Sequence, residues 1–475
     1  MNSNSHKIFA AGGLLLAVAA LLLAIVQPEY LGSYFYLGAL IFGEVMLLAL
    51  WDYPRRFFAL LLGVFLWAGI DLPLNEAWLT RRWIVLGIAA GAGFVFYLRQ
   101  RRHHFGLVHL VALFCVLGAM VSATISAFPR VAMLKALSLF LLFAYAATGA
   151  RLALQDREGR FFAGLLAGCE LLVYVGAVSY FIFRHELFGN PNSLGAIMGI
   201  AVVPVLLWGV LASDRGALRR RRSAALLLGL GLLFSSYSRA SIGAAAISCV
   251  LLCLVLREYR LLARGAALAL VLAVLVAAVR PLKTNQPDTV VGRFLYKGEV
   301  EVGVFGSRRS VWEQTVDSIR QHPWFGTGFG TVATSYDSTV RQPGTFASSR
   351  VSTREHGTSY LAITEWVGLL GVPPFLLLIL LVAAKAGKVM LWLRRTRDPL
   401  VPAAPLAAVV IAGLAHAAFE DWMFAVGYYM CVFFWSVAFM LFDAAPETAH
   451  WVVRPGTRPR TVGWHEQADA AVARR

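Results

Sequence analysis

Apolar runs of about 17–22 residues recur along the sequence, and short polar connections separate each run from the next. A helix of that length spans the ~30 Å hydrocarbon core of a lipid bilayer. Hydrophobic residues make up 59% of the 475 residues and charged residues only 15%, which leaves too little polar surface for a soluble domain of this size. The sequence therefore predicts an all-α polytopic membrane protein.

The pattern predicts about fourteen spans, and we expect about 12–14 transmembrane helices. The first run follows Lys7 like a signal peptide, but it is long for one and many spans follow, so we interpret it as a retained helix. The predicted spans cover residues 8–26, 31–50, 56–72, 83–98, 107–124, 131–150, 161–183, 193–212, 223–238, 240–256, 261–279, 360–384, 400–418 and 423–442.

Basic residues predict the orientation of the chain. With the N-terminus in the cytoplasm, most of the 43 Lys and Arg residues fall in inner connections, as the positive-inside rule requires, although Arg81 and Arg82 fall outside. The net charge of +17 therefore reflects membrane topology and predicts no nucleic acid partner. The resulting parts are 1–279 (N-terminal transmembrane helices), 280–358 (a long periplasmic loop with short helices), 359–442 (C-terminal transmembrane helices) and 443–475 (a basic cytoplasmic tail).

The long outer loop contains RRSVWEQTVDSIRQHPWFGTGFGTV, whose Trp312, Val316 and Ile319 recur at helical spacing. This spacing predicts a short amphipathic helix that ends before Pro323. The glycines of HPWFGTGFG imitate a nucleotide-binding loop, but that motif needs a preceding strand and a cytosolic nucleotide. We interpret them as a tight backbone turn.

Three arginines in outer segments are candidate anion ligands. Arg239 stands in FSSYSRAS (234–241), a tight turn between two apolar runs, where a planar guanidinium suits a phosphate. Arg308 and Arg309 precede Trp312 in the long loop. The alternatives are an interfacial arginine that extends outward at the turn and a solvated charge pair in the loop.

His356 lies at the outer mouth of the helix that begins after Thr358, with Arg354 nearby. A neutral imidazole can take a proton at neutral pH, so His356 is a candidate general base, although an interfacial histidine is more often structural. Glu365, two turns into the helix, is a functional candidate because carboxylates near the membrane core are costly. We expect Glu365 and Arg354 to act as supporting residues.

A further outer turn carries His416, Glu420 and Asp421, and the stretch RHELFGNPNSLGA (184–196) resembles it in polarity. Both can line a sugar-binding cavity or simply cap helices and anchor them at the interface. We predict no metal and no cofactor, because the outer connections contain no Asp-x-Asp pair. The five cysteines all lie in apolar runs, which predicts packing and no disulfide framework.

Five stretches, in this order, resemble the O-antigen ligase family, which also includes O-antigen and exopolysaccharide polymerases and some protein O-oligosaccharyltransferases. They are GNPNSLGA, SYSRAS, the Arg-x-x-Trp of RRSVW, HPWFGTGFG and EHGTSYLAITEWVGLLG, within roughly residues 185–440. The resemblance implies a GT-C-like architecture in the bacterial inner membrane with a periplasmic active site. It also implies a glycan donor on undecaprenyl pyrophosphate, an acceptor hydroxyl on a glycan or on lipid A–core, and inverting transfer without metal.

The resemblance also implies roles for individual residues. Arg239 matches the serine–arginine turn, and Arg309 matches the arginine three positions before the tryptophan, with Arg308 as its substitute; these would bind the pyrophosphate. His356 matches the catalytic histidine. Gly357 stands where family members often have asparagine, which leaves the acceptor contacts open. Glu420 is expected to support the site.

Two questions stay open at the level of the sequence. Ligase and polymerase use the same donor chemistry and differ in the acceptor. A lipid-linked oligosaccharide flippase or transporter would also be polytopic, but it needs ionisable groups along a transmembrane path. Glu44, Lys135 and Glu170 are scattered through the spans, whereas the richest polar cluster lies outside, so the sequence favours an enzyme.

The distribution of Lys and Arg residues between the connections predicts that both termini are cytoplasmic and that residues 280–357 are periplasmic. Reporter fusions at each terminus and after Gly326 test this directly. We expect periplasmic reporter activity after Gly326 alone. A reporter that is cytoplasmic when fused after Gly326 would contradict the predicted topology.

Overall fold

The computed structural model describes residues 34–71, 75–99, 105–154, 158–185, 187–213, 216–267, 306–333 and 354–445, with residues 18 and 22. Every regular element in these residues is a helix. The helices are α1 (Tyr34–Trp51), α2 (Tyr53–Gly69), α3 (Asn75–Arg99), α4 (Leu107–Thr124), α5 (Pro129–Leu154), α6 (Glu158–Ile182), α7 (Pro191–Leu211), α8 (Ala217–Ser235), α9 (Arg239–Leu256), α10 (Gly306–Gln321), α11 (Ser359–Thr396), α12 (Ala403–Ala417) and α13 (Tyr429–Ala444).

The structure confirms an all-α polytopic membrane protein. Twelve of the predicted spans fall on α1–α9 and α11–α13. Seven helices in the described part of the chain are long and apolar enough to cross a membrane, and three shorter apolar helices accompany them. The predicted span 8–26 and most of 261–279 lie outside the described residues. The amphipathic helix predicted in the loop is α10, which ends at Gln321 ahead of Pro323.

Helix α7 is the centre of the bundle, because 94% of its most apolar window is buried, whereas this share is 39–44% in the other six long helices. Helices α12 and α13 are also buried along most of their length. The other long helices pack one face inward and expose large apolar side chains on the other. That exposure is the expected surface of a protein in lipid, where the surroundings are as apolar as the core.

Charged side chains inside the bundle have partners on neighbouring segments. Arg151 of α5 donates two hydrogen bonds of 2.6 Å to the carboxylate of Asp443, which ties α5 to α13. Glu170 of α6 lies 3.0 Å from Arg221 of α8. Lys135 of α5 donates to a backbone carbonyl of the loop that follows α10. Each pair offsets the cost of placing a charge in an apolar bundle.

Helix α11 has 38 residues, or roughly 57 Å at 1.5 Å per residue, and is longer than the ~30 Å core requires. Its path breaks at Gly368, whose φ is 67°. The chain after α10 fills the break: the N–H groups of Thr327 and Gly328 donate to carbonyls before it, and the carbonyls of residues 323 and 324 accept from N–H groups after it, at 2.7–3.1 Å. Broken helices near the membrane need such partners for their freed backbone groups.

Substitution of Gly368 by alanine should destabilise the protein. A Cβ atom there would lie 2.4 Å from the backbone of Trp324, and the positive φ disfavours any L side chain. We expect a loss on the order of 1–3 kcal/mol, measured by thermal unfolding in detergent. The control is Gly387→Ala in the same helix, where a Cβ meets nothing within 4 Å and should be neutral or stabilising. Equal melting temperatures for both variants would contradict this account of the break.

Candidate active site

The turn before α11 carries His356, whose side chain is 0% exposed. One carboxylate oxygen of Asp421, in the loop between α12 and α13, accepts two hydrogen bonds from it. The backbone N–H of His356 donates at 2.8 Å, and the ring Nδ1 lies at 2.9 Å. An ionised carboxylate only accepts, so Nδ1 carries a proton in this contact. Asp421 therefore fixes both the position and the protonated ring nitrogen of His356.

The other ring nitrogen, Nε2, points into the protein. It lies 3.5 Å from a carboxylate oxygen of Glu365 and makes no hydrogen bond with the residues that the structure describes. The ring also meets the indole of Trp366 edge to face, with centroids 5.2 Å apart. The imidazole thus lies between two carboxylates, Asp421 at Nδ1 and the more deeply buried Glu365 at Nε2.

Glu365 has the arginine partner that we expected for it. Arg354 donates to it at 2.6 Å, and Ser318 of α10 donates to its other oxygen at 2.9 Å. Arg354 also donates to Thr315 of α10 at 3.1 Å. The loop helix therefore braces the turn from one side and supplies Glu365 with the hydrogen bonds that a buried carboxylate requires.

Asp421 lies deep in the protein, yet 24% of its side chain is exposed. Burial raises the pKa of this carboxyl, but the hydrogen bonds and positive charge of His356 oppose that effect and hold the pKa below its usual value. The carboxylate is therefore ionised above pH ~4.

Arg308 lies at the mouth of this site and is 13% exposed. Its guanidinium donates to Glu355 at 2.6 Å and to Glu420, the neighbour of Asp421. Its charge acts on Arg239 at the start of α9. Two cations from distant parts of the sequence are therefore close enough for their charges to interact.

Arg309, which the resemblance favoured over Arg308, points away from this region. Its side chain is 75% exposed and pairs with Glu313 one turn along α10, at 2.8 Å. Neighbouring positions on a helix differ by about 100° in direction, so only one of two adjacent arginines can face the site. The structure brings Arg308 to Glu420 and leaves Arg309 on the outer face.

A chain of hydrogen bonds fixes the turn that carries Arg239. Trp422 donates to Nδ1 of His416 at 2.8 Å, so the neutral ring donates through Nε2 to Ser241 at 3.0 Å. Ser241 in turn contacts the hydroxyl of Ser238 at 2.7 Å. His416 therefore holds the start of α9, which is a structural role.

The stretch GNPNSLGA packs against the same turn. Asn190 caps α7 by accepting from the N–H of Ser193 at 2.7 Å. A Cβ atom at Gly195 would lie 2.5 Å from the Cβ of Ser238, so the two motifs pack without space for a larger residue. Of the two readings of Asn190, the structure supports helix capping.

Trp312 explains the glycine that follows His356. Gly357 has a φ of 73°, and a Cβ atom there would lie 2.8 Å from the indole nitrogen of Trp312. The tryptophan of Arg-x-x-Trp thus packs on the turn that carries the histidine. An asparagine at this position would collide with that indole.

Sequence reasoning named Asp421 only as part of an outer turn that can line a sugar-binding cavity or cap a helix, and it gave no role to Ser318 or Thr315. No local pattern connects these residues to His356 and Arg354, because they are between 36 and 67 positions away along the chain. Only the packing of the loop helix and of the turn before α13 on the start of α11 brings them together.

A comparison with protein families finds that residues 224–354 match the sequence model of the family described as O-antigen ligase. The matched region includes Arg239, Arg308, Arg309 and Arg354, and it ends two residues before His356. A comparison with curated proteins finds no match to the chain.

Proposed function

We propose that this chain, whose residues 224–354 form an O-antigen ligase family region, is an inner-membrane glycosyltransferase. In this proposal it moves a glycan from an undecaprenyl-pyrophosphate-linked donor to an acceptor hydroxyl at the periplasmic face, as an O-antigen ligase does. The observation that carries it is that Arg308, whose charge also acts on Arg239, binds the neighbour of Asp421 in the buried His356–Asp421 pair. The arginines suit an anionic leaving group, and the His356–Asp421 pair suits the removal of a proton.

The arginines supply the charge that a pyrophosphate leaving group needs. Negative charge develops on the departing phosphate oxygen, and preorganised guanidinium groups stabilise it without transferring a proton. Arg308 donates to two carboxylates, and the outer one, Glu355, is 50% exposed. A phosphate offers the same acceptor geometry as a carboxylate, so the donor can replace Glu355 at the guanidinium while Glu420 continues to orient it.

The His356–Asp421 pair supplies the base. The hydroxyl oxygen of the acceptor attacks the anomeric carbon, the bond to the pyrophosphate oxygen breaks, and the hydroxyl proton passes to the pair. A direct displacement of this kind inverts the anomeric centre. The proposal includes no metal ion, because Arg239 and Arg308 neutralise the leaving group.

A polymerase of the same family is the second candidate, since it differs only in the acceptor. A flippase or transporter is disfavoured by the pairing of the intramembrane charges. Glu170 pairs with Arg221, and Lys135 binds a backbone carbonyl, so both stabilise contacts between segments.

The two adjacent arginines form a matched pair for a test. Arg308→Ala should lower glycan transfer from a lipid-linked donor strongly, about 10²-fold or more by loss of one preorganised charge. Arg309→Ala should stay near the wild-type rate, because its side chain faces away and pairs only along its own helix. The measurement is turnover by purified protein in excess EDTA, with correct insertion verified. If Arg309→Ala lost more turnover than Arg308→Ala, the pyrophosphate would be assigned to Arg309. Loss of wild-type activity in EDTA that a metal ion restores would contradict the proposal that arginines neutralise the leaving group.

The acceptor is tested in cells by the surface glycan of a deletion strain. As a ligase, the protein should be required for polymer on lipid A–core, and its deletion should leave lipid-linked polymer unattached. Single repeat units on lipid A–core would indicate lost polymerisation instead. An unchanged surface glycan would contradict both assignments.

A further inference from the structure

The two members of the buried pair differ in access. The His356 side chain is 0% exposed, whereas 24% of the Asp421 side chain is exposed. A group that takes a proton from an incoming hydroxyl must come within about 3 Å of it. In this pair, the carboxylate is the member that an acceptor can reach.

The orientation of the imidazole agrees with its burial. Nδ1 is committed to Asp421, and Nε2 faces Glu365 at 3.5 Å on the inner side, against Trp366. A lone pair on Nε2 would face a carboxylate that Arg354 and Ser318 hold in place.

On this basis, which rests on the proposed function, we infer that Asp421 is the catalytic base and that His356 is its positioning residue. One oxygen of Asp421 accepts both hydrogen bonds from His356, and the other oxygen takes the proton of the acceptor hydroxyl. The new bond joins the acceptor oxygen to the anomeric carbon, the electron pair of the broken bond leaves on the pyrophosphate, and the proton ends on Asp421. No further reactant is needed.

The charges around Asp421 are consistent with this role. Glu420 is its neighbour, but Arg308 neutralises that carboxylate. His416 accepts a hydrogen bond from Trp422 and is therefore neutral. Within the described part of the chain, Glu365 of α11 and its partner Arg354 lie on the Nε2 side of His356, and Glu355 of the turn and Arg239 of α9 interact with Arg308. Asp421 thus has an imidazole behind it and arginines at the mouth.

The pH profile of the wild-type rate separates the two assignments. A carboxylate whose pKa lies below its usual value stays in its basic form above pH ~4, so the rate should show no acid limb between about pH 5.5 and 8. An imidazole base would instead lose activity on the acid side of this range as it takes up a proton. We expect the flat profile.

Variants of the positioning residue give an independent readout. The side-chain amide of His356→Asn can place an N–H donor near the position of Nδ1 but cannot act as a base, so this variant should exceed His356→Ala in turnover at least tenfold. Asp421→Asn keeps the shape and loses the base, and its rate should fall by about 10²–10⁴-fold. Melting temperatures of all three variants distinguish a catalytic loss from misfolding.

An acid limb near the imidazole pKa in the wild type, together with equally inactive His356→Asn and His356→Ala, would overturn the inference and make His356 the base. The proposed function would survive that result, because transfer would still occur. Wild-type protein that transfers no glycan would instead overturn the proposed function, and this inference with it.

Discussion

One carboxylate oxygen organises the end of the helical bundle at which the candidate site lies. Asp421 accepts the backbone N–H and the ring N–H of His356, so it fixes both the path of the turn and the orientation of the imidazole. Inside a protein each hydrogen bond to an ionised acceptor is stronger than the same bond in water, and two of them offset the cost of burying the charge. The contact joins the turn before α11 to the loop before α13, and the arginines are arranged around that joint.

The break in α11 gives the site its second support. A straight helix would keep the backbone groups around Gly368 in its own hydrogen bonds and leave none for the loop. Because the helix breaks at Gly368, its free backbone groups bind the residues that follow α10. The loop helix α10 therefore lies beside the site, where Ser318 contacts Glu365 and Thr315 contacts Arg354. A long polar loop is therefore bound to the membrane bundle through backbone hydrogen bonds.

Charge balance explains why so many ionised groups are stable at one end of an apolar bundle. Arg308 is paired with Glu420 and Glu355, and Arg354 with Glu365. Every such pair reduces the cost of desolvating its members, whereas an unpaired charge at this depth would be strongly destabilising. The same arrangement leaves the guanidinium of Arg308 bound to the half-exposed carboxylate of Glu355, which the proposed pyrophosphate donor would replace.

The sequence by itself determined the fold class and the positions of most helices, and it carried the resemblance to the O-antigen ligase family that the match over residues 224–354 supports. Apolar length is set by bilayer thickness, so spans such as 107–124 coincide with helices of the structure. It also identified Arg239, His356 and Glu365 as a group of interest. Tertiary structure alone decided that Arg308 and not Arg309 faces that group, and that Asp421 holds His356. Which face of a helix is turned to the site, and which residues 65 positions apart come into contact, depend on how the segments pack. No periodicity along the chain encodes that packing.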